Sequence, residues 1–327
     1  MSLNPYLLFL LGLATILLGA ELLLRGASRL AALLGIRPIL IGLTVVSIGT
    51  STPELAVGIT AVSEGRGSLA VGNIAGTNIV NILLILGLSA MIRPLPTRLL
   101  SIKLDVPVMI ASALALIVMA ADGILSRLEG TWMLLAALAY TLALVRLSKA
   151  EAAGAQREFA HEFGRSAMHA GSGYARGAWH LALLLLGMVL TVLGAEWLVA
   201  GAVDLARKLG VTDAFIGLTI VAVGTSAPEL VTTLLATWKD DRDVAIGNLI
   251  GSSIYNILVI LGLTIMAAPS GIDMSRDILL IDLPLAALVA AVCLPVFKSD
   301  RQVSRTEGTF FVLAYCLYVA SLVWLRT

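Results

Sequence analysis

Three blocks of this sequence recur at one constant offset of 175 residues. LGAELLLRGA (18–27) returns as LGAEWLVAGA (193–202), IGLTVVSIGTSTPEL (41–55) as IGLTIVAVGTSAPEL (216–230), and VGNIAGTNIVNILLILGL (71–88) as IGNLIGSSIYNILVILGL (246–263). The copy continues more weakly after short insertions, with LDVP (104–107) against IDLP (281–284) and RLEGT (127–131) against RTEGT (305–309). A chain written twice must fold as two like halves, and that constrains its topology more than any local motif does.

Both halves are too apolar for water. Of the 327 residues 59% are hydrophobic and 13% charged, whereas soluble domains carry about 25% charged residues. Segments of about 20 apolar residues cross about 30 Å of hydrocarbon; ten are expected, near 5–24, 39–62, 69–92, 104–121, 130–147, 180–200, 213–236, 243–267, 278–296 and 308–326. Five spans per half is an odd number, so the second half must enter the bilayer from the side opposite to the first. The expected fold is therefore all-α, a polytopic membrane protein of ten transmembrane helices in two inverted five-helix repeats, with helices 2 and 7 broken. The expected organisation is a first repeat over 1–147, a polar cytoplasmic linker over 148–178 and a second repeat over 179–327.

Placing the N-terminus outside puts 16 of the 22 basic residues in cytoplasmic connections, as the positive-inside rule requires. Both termini are then non-cytoplasmic, in a plasma or inner membrane. The net charge of +1 points to no nucleic-acid partner, and nothing in the sequence asks for an obligate protein partner beside the lipid bilayer. Cys293 and Cys316 sit in apolar segments and form no CxxC or zinc spacing.

Within those spans the polar turns GTSTPE (49–54) and GTSAPE (224–229) are costly in lipid. Proline lacks an N–H and crowds the carbonyl four residues back, so Pro53 is expected to free the Gly49 carbonyl and Pro228 that of Gly224. Carbonyls freed at membrane depth are tolerated when they face protein, water or ions. Hard cations suit such oxygens, and Ca2+ takes about 6–8 of them. Expected ligands are the carboxylates of Glu54 and Glu229, hydroxyl or carbonyl oxygens of Thr50, Ser51, Thr225 and Ser226, main-chain oxygen of Ser47 and Ala222, the hydroxyls of Thr77, Ser252 and Ser253, and the amides of Asn81 and Asn256. Thr77 and Asn81, like Ser252 and Asn256, fall four apart on one helical face; Asn78 is left without an assigned direction. The set contains no soft ligand, which disfavours Zn, Cu or Fe, and no cofactor is expected.

Other polar residues have plainer readings. Gly72 with Gly76 and Gly247 with Gly251 read as close-packing pairs. Glu21 and Glu196 read as interfacial, and Asp105 and Asp282, each two residues before a proline, as helix-start residues. His161, His169 and His180 fall in or beside the linker, and KDDRD (239–243) reads as a solvated turn.

GTSTPEL with GNIAGTNIVNILLILG, repeated as GTSAPEL with GNLIGSSIYNILVILG, resembles the alpha repeats of the cation/Ca2+ exchanger superfamily, in particular prokaryotic sodium/calcium exchangers. The resemblance covers nearly the whole chain. It implies four central ion sites, three for Na+ and one for Ca2+, lined by helices 2, 3, 7 and 8, with helices 1 and 6 sliding across the core. It puts the family's carboxylates on Glu54 and Glu229, its threonines on Thr50 and Thr225, its serines on Ser51 and Ser226, its small hydroxyl positions on Thr77, Ser252 and Ser253, and its first-repeat asparagine on Asn81. Where well-known sodium/calcium exchangers carry an aspartate in the second repeat, this chain has Asn256.

The expected function is secondary-active antiport of Ca2+ against Na+, with a Ca2+/H+ antiporter on the same fold as the alternative raised by Asn256. Two ionised glutamates make a charge of −2, which one Ca2+ or two Na+ neutralises. A pocket costly to leave empty in low dielectric couples the two ions. A hydrolase is disfavoured by the absence of an HExxH or GxSxG motif.

Overall fold

The structure is a computed structural model and describes residues 4–34, 36–163, 174–210 and 222–326. The described residues are mostly helical. Eight described helices are long and apolar enough to cross a membrane. They include α1 (Pro5–Leu34), α2 (Pro38–Ser63), α3 (Gly67–Ile92) and α4 (Ser101–Asp122). α5 (Arg127–Phe163) and α6 (Tyr174–Lys208) carry the fifth and sixth spans and extend beyond them. α8 (Arg242–Ala267) and α9 (Ile278–Lys298) follow. The other two expected spans are α7, of which 222–238 is described while 211–221 lies outside the described residues, and α10 (Arg305–Arg326).

The helices sort by burial. The most apolar stretches of α3 and α8 are 78% and 83% buried, against 33% for α1 and 28% for α5 and α6. The second and third helices of each repeat therefore make the centre, and the first and last face lipid. Two short ribbons tie the halves together: β1 (Leu95–Pro96) pairs with β4 (Gln302–Val303), and β2 (Ile124–Leu125) with β3 (Ile272–Asp273), both antiparallel. The ten-span topology puts β1 and β4 on one face and β2 and β3 on the other, so both ribbons agree with it.

The inversion is visible where α1 meets α6. Gly12, Gly19 and Gly26 face the backbone of Leu198, Thr191 and Leu184, while Gly187, Gly194 and Gly201 face that of Leu23, Ile16 and Phe9. The contacts run in opposite directions along two helices that are copies of each other. Glycine is required here because a Cβ at Gly194 would lie 2.3 Å from the Ile16 nitrogen. This seven-residue glycine spacing escaped the sequence reading.

On the face expected to be cytoplasmic, charged residues bind connections together. Arg93 pairs with Asp240 at 3.2 Å, Arg98 donates from Nε to Asp243 at 3.0 Å, and Arg242 reaches the Pro94 carbonyl at 3.1 Å. Lys239 pairs with Glu21 of α1, and Ser28 Oγ donates to Asp241 at 3.3 Å. The run 239–243 is thus a clasp rather than a freely solvated turn, because α1 and the connection after α3 bring partners to it.

Asp105 and Asp282 also differ from expectation. Each helix begins with an extra, wide i→i+5 turn, Ser101–Asp105 and Ile278–Asp282, which carries the aspartate inside the helix instead of at its cap. Both are buried, and Asp105 accepts a 2.9 Å hydrogen bond from the Tyr140 hydroxyl.

Candidate ion-binding site

Each central helix is interrupted beside its proline. In α2 the run Ser47–Thr50 ends at Ser51 (φ −83, ψ 12) before Thr52–Ser63 resumes; in α7 Ser226 (φ −87, ψ 10) separates Ala222–Gly224 from Ala227–Trp238. Pro53 and Pro228 each occupy an early position of the resumed helix, where a missing N–H costs nothing. Glu54 and Glu229 follow them in the first turn, and both are fully buried.

The two turns meet. Ser51 of the first half donates to Glu229 Oε1 of the second at 3.0 Å, and Thr50 donates to Asn248 Oδ1 on α8 at 3.2 Å. The Ser47 carbonyl receives Ser252 Oγ from α8 at 3.4 Å. Thr77 lies beside the Glu54 carboxyl, and the Glu54 and Glu229 carboxyl groups are within reach of each other's charge. A hydroxyl that gives its proton away turns lone pairs toward the space between the turns, so Thr50 and Ser51 are set as acceptors there.

α3 and α8 complete the wall. Both change from 3.6-residue to wider i→i+5 winding where the asparagines sit, at Val80–Leu86 and Asn256–Leu261; such widenings recur at functional positions. Asn78, unassigned from sequence, donates to the Ser253 carbonyl at 3.0 Å and accepts from Asn256 Nδ2 at 3.2 Å. Residues 78 and 253 are copies of each other, so the axis relating the halves passes here. With its amide nitrogen engaged, Asn256 presents its oxygen. Ser253 Oγ instead returns to the Leu249 carbonyl at 2.9 Å.

The expected ligands supply seven of the buried oxygens with no hydrogen-bond partner: both oxygens of Glu54, Glu229 Oε2, Asn81 Oδ1, Asn256 Oδ1, Thr77 Oγ1 and Ser226 Oγ. Unpaired buried polar atoms are rare and costly. Among the described residues no group of three His, Cys, Asp or Glu converges, so the donors are two carboxylates completed by hydroxyls and amides. That is the chemistry of a hard cation.

Thr225 is half-buried at the second turn, and Ala222 begins the described part of α7. One expectation fails: the Gly49 carbonyl freed by Pro53 is taken by the Thr52 hydroxyl at 2.8 Å. The second half has Ala227 at that place and no such hydroxyl. The packing reading holds for Gly247 and Gly251, whose Cβ positions would meet the Ile39 and Leu43 carbonyls at 2.6 and 2.5 Å, and fails for their copies: a Cβ at Gly76 would meet nothing within 4 Å, and one at Gly72 only the Ile278 side chain at 3.0 Å. Asn248 escaped the sequence reading. Fully buried, it accepts from Thr50 and donates to Thr233 at 3.1 Å, and the repeated GN of 72–73 and 247–248 was the signal.

Comparison with known proteins bears on the family and the fold. A family model described as sodium/calcium exchanger protein matches residues 4–146 and 179–324. The chain is 35% identical to the inner membrane protein YrbG of Escherichia coli (strain K12), over 97% of this chain and 96% of that protein. It is 33% identical to the sodium/calcium exchanger MaX1 of Methanosarcina acetivorans, over 98% and 99%. Among solved structures, the sodium/calcium exchanger from Methanococcus jannaschii superposes with a TM-score of 0.82 at 26% identity, covering 98% of this chain and 99% of that one.

Proposed function

This chain belongs to the sodium/calcium exchanger protein family, whose members are transporters and not enzymes, and we propose that it exchanges cytoplasmic Ca2+ for external Na+ by alternating access in the inner membrane. The observation that carries this reading is the shell of unpartnered oxygens around Glu54 and Glu229. We take Glu54, Glu229, Thr50, Thr225, Ser51, Ser226, Ser47, Ala222, Thr77, Ser252, Asn81 and Asn256 as the ion-facing set, with Ser253 positioning α8. The test is Ca2+ uptake by Na+-loaded proteoliposomes, which must stop when the Na+ gradient is removed. If three Na+ move per Ca2+, one net charge crosses each cycle, worth about 2.3 kcal/mol per 100 mV, and an imposed potential then changes the rate.

Proton coupling is the second reading, favoured by the neutral Asn256. Collapsing a pH gradient in the same vesicles separates the two, since a sodium-driven carrier keeps its rate. Asn256→Asp adds a third carboxylate beside Asn78. The expected result is Ca2+ binding about tenfold tighter at neutral pH, weakening on acidification as that carboxylate protonates. Identical titrations of variant and parent would place the side chain away from the ions.

The clasp on the expected cytoplasmic face bears on alternation. Lys239 holds Glu21, but their copies in the other half are Glu64 and Glu196, two like charges that cannot make the same bond. Closure of this face is therefore favoured over closure of the other by the worth of a partly exposed pair, about 0.2–1 kcal/mol. Lys239→Glu is expected to raise the accessibility of a cysteine probe on the cytoplasmic side a few-fold, and Glu21→Lys in the same chain to reverse it.

A further inference from the structure

A cavity of about 700 Å3 opens between α3, α9 and α10 and reaches inward to Gly76, Thr77 and Thr225. Its mouth lies by the connection between α8 and α9, on the face expected to be non-cytoplasmic. Two carboxylates line it, Asp277 and Asp282, together with Asn73 and Ser275, and no Lys, Arg or His does so among the described residues. Asp277 is exposed while Asp282 is only 9% exposed. The wide turn Ile278–Asp282 lies between the two carboxylates in sequence, and both line the same cavity. At the inner end Thr77, 2% exposed, joins this cavity to the central pocket, since its hydroxyl lies beside the Glu54 carboxyl.

The other half carries the same wall with different chemistry. Arg98, Leu100, Ser101, Asp105 and Leu144 occupy the positions equivalent to Ser275, Asp277, Ile278, Asp282 and Leu322, and they line a space of only about 10 Å3 together with Arg37. That is room for about one water molecule. The repeated aspartate is thus kept in both halves, but only the open side has a second carboxylate in its lining, and the closed side has arginines.

We propose that Asp277 and Asp282, with Asn73 and Ser275, form a docking site for a hard cation, Ca2+ above all, on the path to the central pocket. The inference rests on reading the central pocket as a cation site, and it adds a station outside that pocket. A low-dielectric cleft lined by one sign of charge raises local counter-ion concentration and speeds capture. Asp282 holds the ion in the cavity that Thr77 shares with the central pocket, and Thr77 receives it next.

The direct test uses Tb3+, which takes Ca2+ ligands and luminesces when excited through nearby tyrosine; Tyr315 and Tyr318 line this cavity. In protein carrying Glu54→Gln and Glu229→Gln, sensitised luminescence is expected to persist, to fall about tenfold with Asp282→Asn added, and to fall a few-fold with the exposed Asp277→Asn. A signal indifferent to both substitutions overturns the proposal. In vesicles, either substitution in the otherwise unchanged chain is expected to raise the KM for Ca2+ at this face roughly tenfold, with kcat and the KM at the opposite face retained and Asp105→Asn without that effect. An unchanged KM at this face contradicts the proposal. Wild-type vesicles without any Ca2+ exchange would instead reject the central reading, while the Tb3+ measurement still decides this one.

Discussion

Glu54→Gln and Glu229→Gln are each expected to abolish Ca2+ exchange, by at least a hundredfold. Each substitution keeps the shape and replaces one charge, so a fold defect is not the cause. Both carboxylates are fully buried, both oxygens of Glu54 and one of Glu229 lack protein partners, and the remaining Glu229 oxygen receives Ser51 across the half-to-half boundary. With one charge gone, a divalent ion in the pocket is left half compensated, and an unbalanced charge in a dry interior costs several kcal/mol; at about 1.4 kcal/mol per factor of ten, two decades is the modest end. Na+ binding should suffer less, because a single carboxylate still neutralises one monovalent ion. Transport assays with either variant check this, and near-normal rates in both would remove the glutamates from the site.

The second large effect is expected at the glycine seam. Gly194→Leu drives a branched side chain into the Ile16 backbone, where even a Cβ would stand 2.3 Å from nitrogen. The helices must part over their common length, a distortion of about 1–3 kcal/mol or more. If α1 and α6 move together over the core as one unit, this prevents the movement without touching an ion ligand. Exchange is expected to fall at least tenfold, while equilibrium Ca2+ binding by purified protein stays within a few-fold of the parent. Leu186→Ala, at an exposed position of the same helix, is expected to leave both unchanged.

Much of this was legible in the sequence, because repetition isolates the residues that matter. Two copies of GTSxPE mark where helices break, and an odd number of spans per copy dictates inversion. The antiparallel glycine contacts of α1 and α6 and the paired ribbons are consequences of that count. What stayed hidden depends on which way a side chain turns. Asn78 sits next to Thr77 in sequence, yet it faces the axis and orients Asn256; the local widening of α8 at Asn256 alters the face that a 3.6-residue period assigns. The Gly49 carbonyl was expected to be free on backbone grounds, and a neighbouring hydroxyl, Thr52, closes it. Asp105 looked like a cap because it precedes a proline, but the helix begins earlier through a wide turn that sequence spacing does not announce. The glycine rows were readable as a seven-residue period, and only the contact across two distant segments gives that period its meaning.

The central claim is that one oxygen-lined pocket, shared by both halves, holds either Ca2+ or Na+ through Glu54 and Glu229. Equilibrium binding of 45Ca2+ to purified protein, with Na+ as competitor, tests it most directly. The account predicts one high-affinity Ca2+ per chain besides any weaker peripheral site, displaced by Na+ with a Hill coefficient above one and lost in both glutamine variants. High-affinity Ca2+ binding that Na+ does not displace, or that survives removal of either carboxylate, would contradict it.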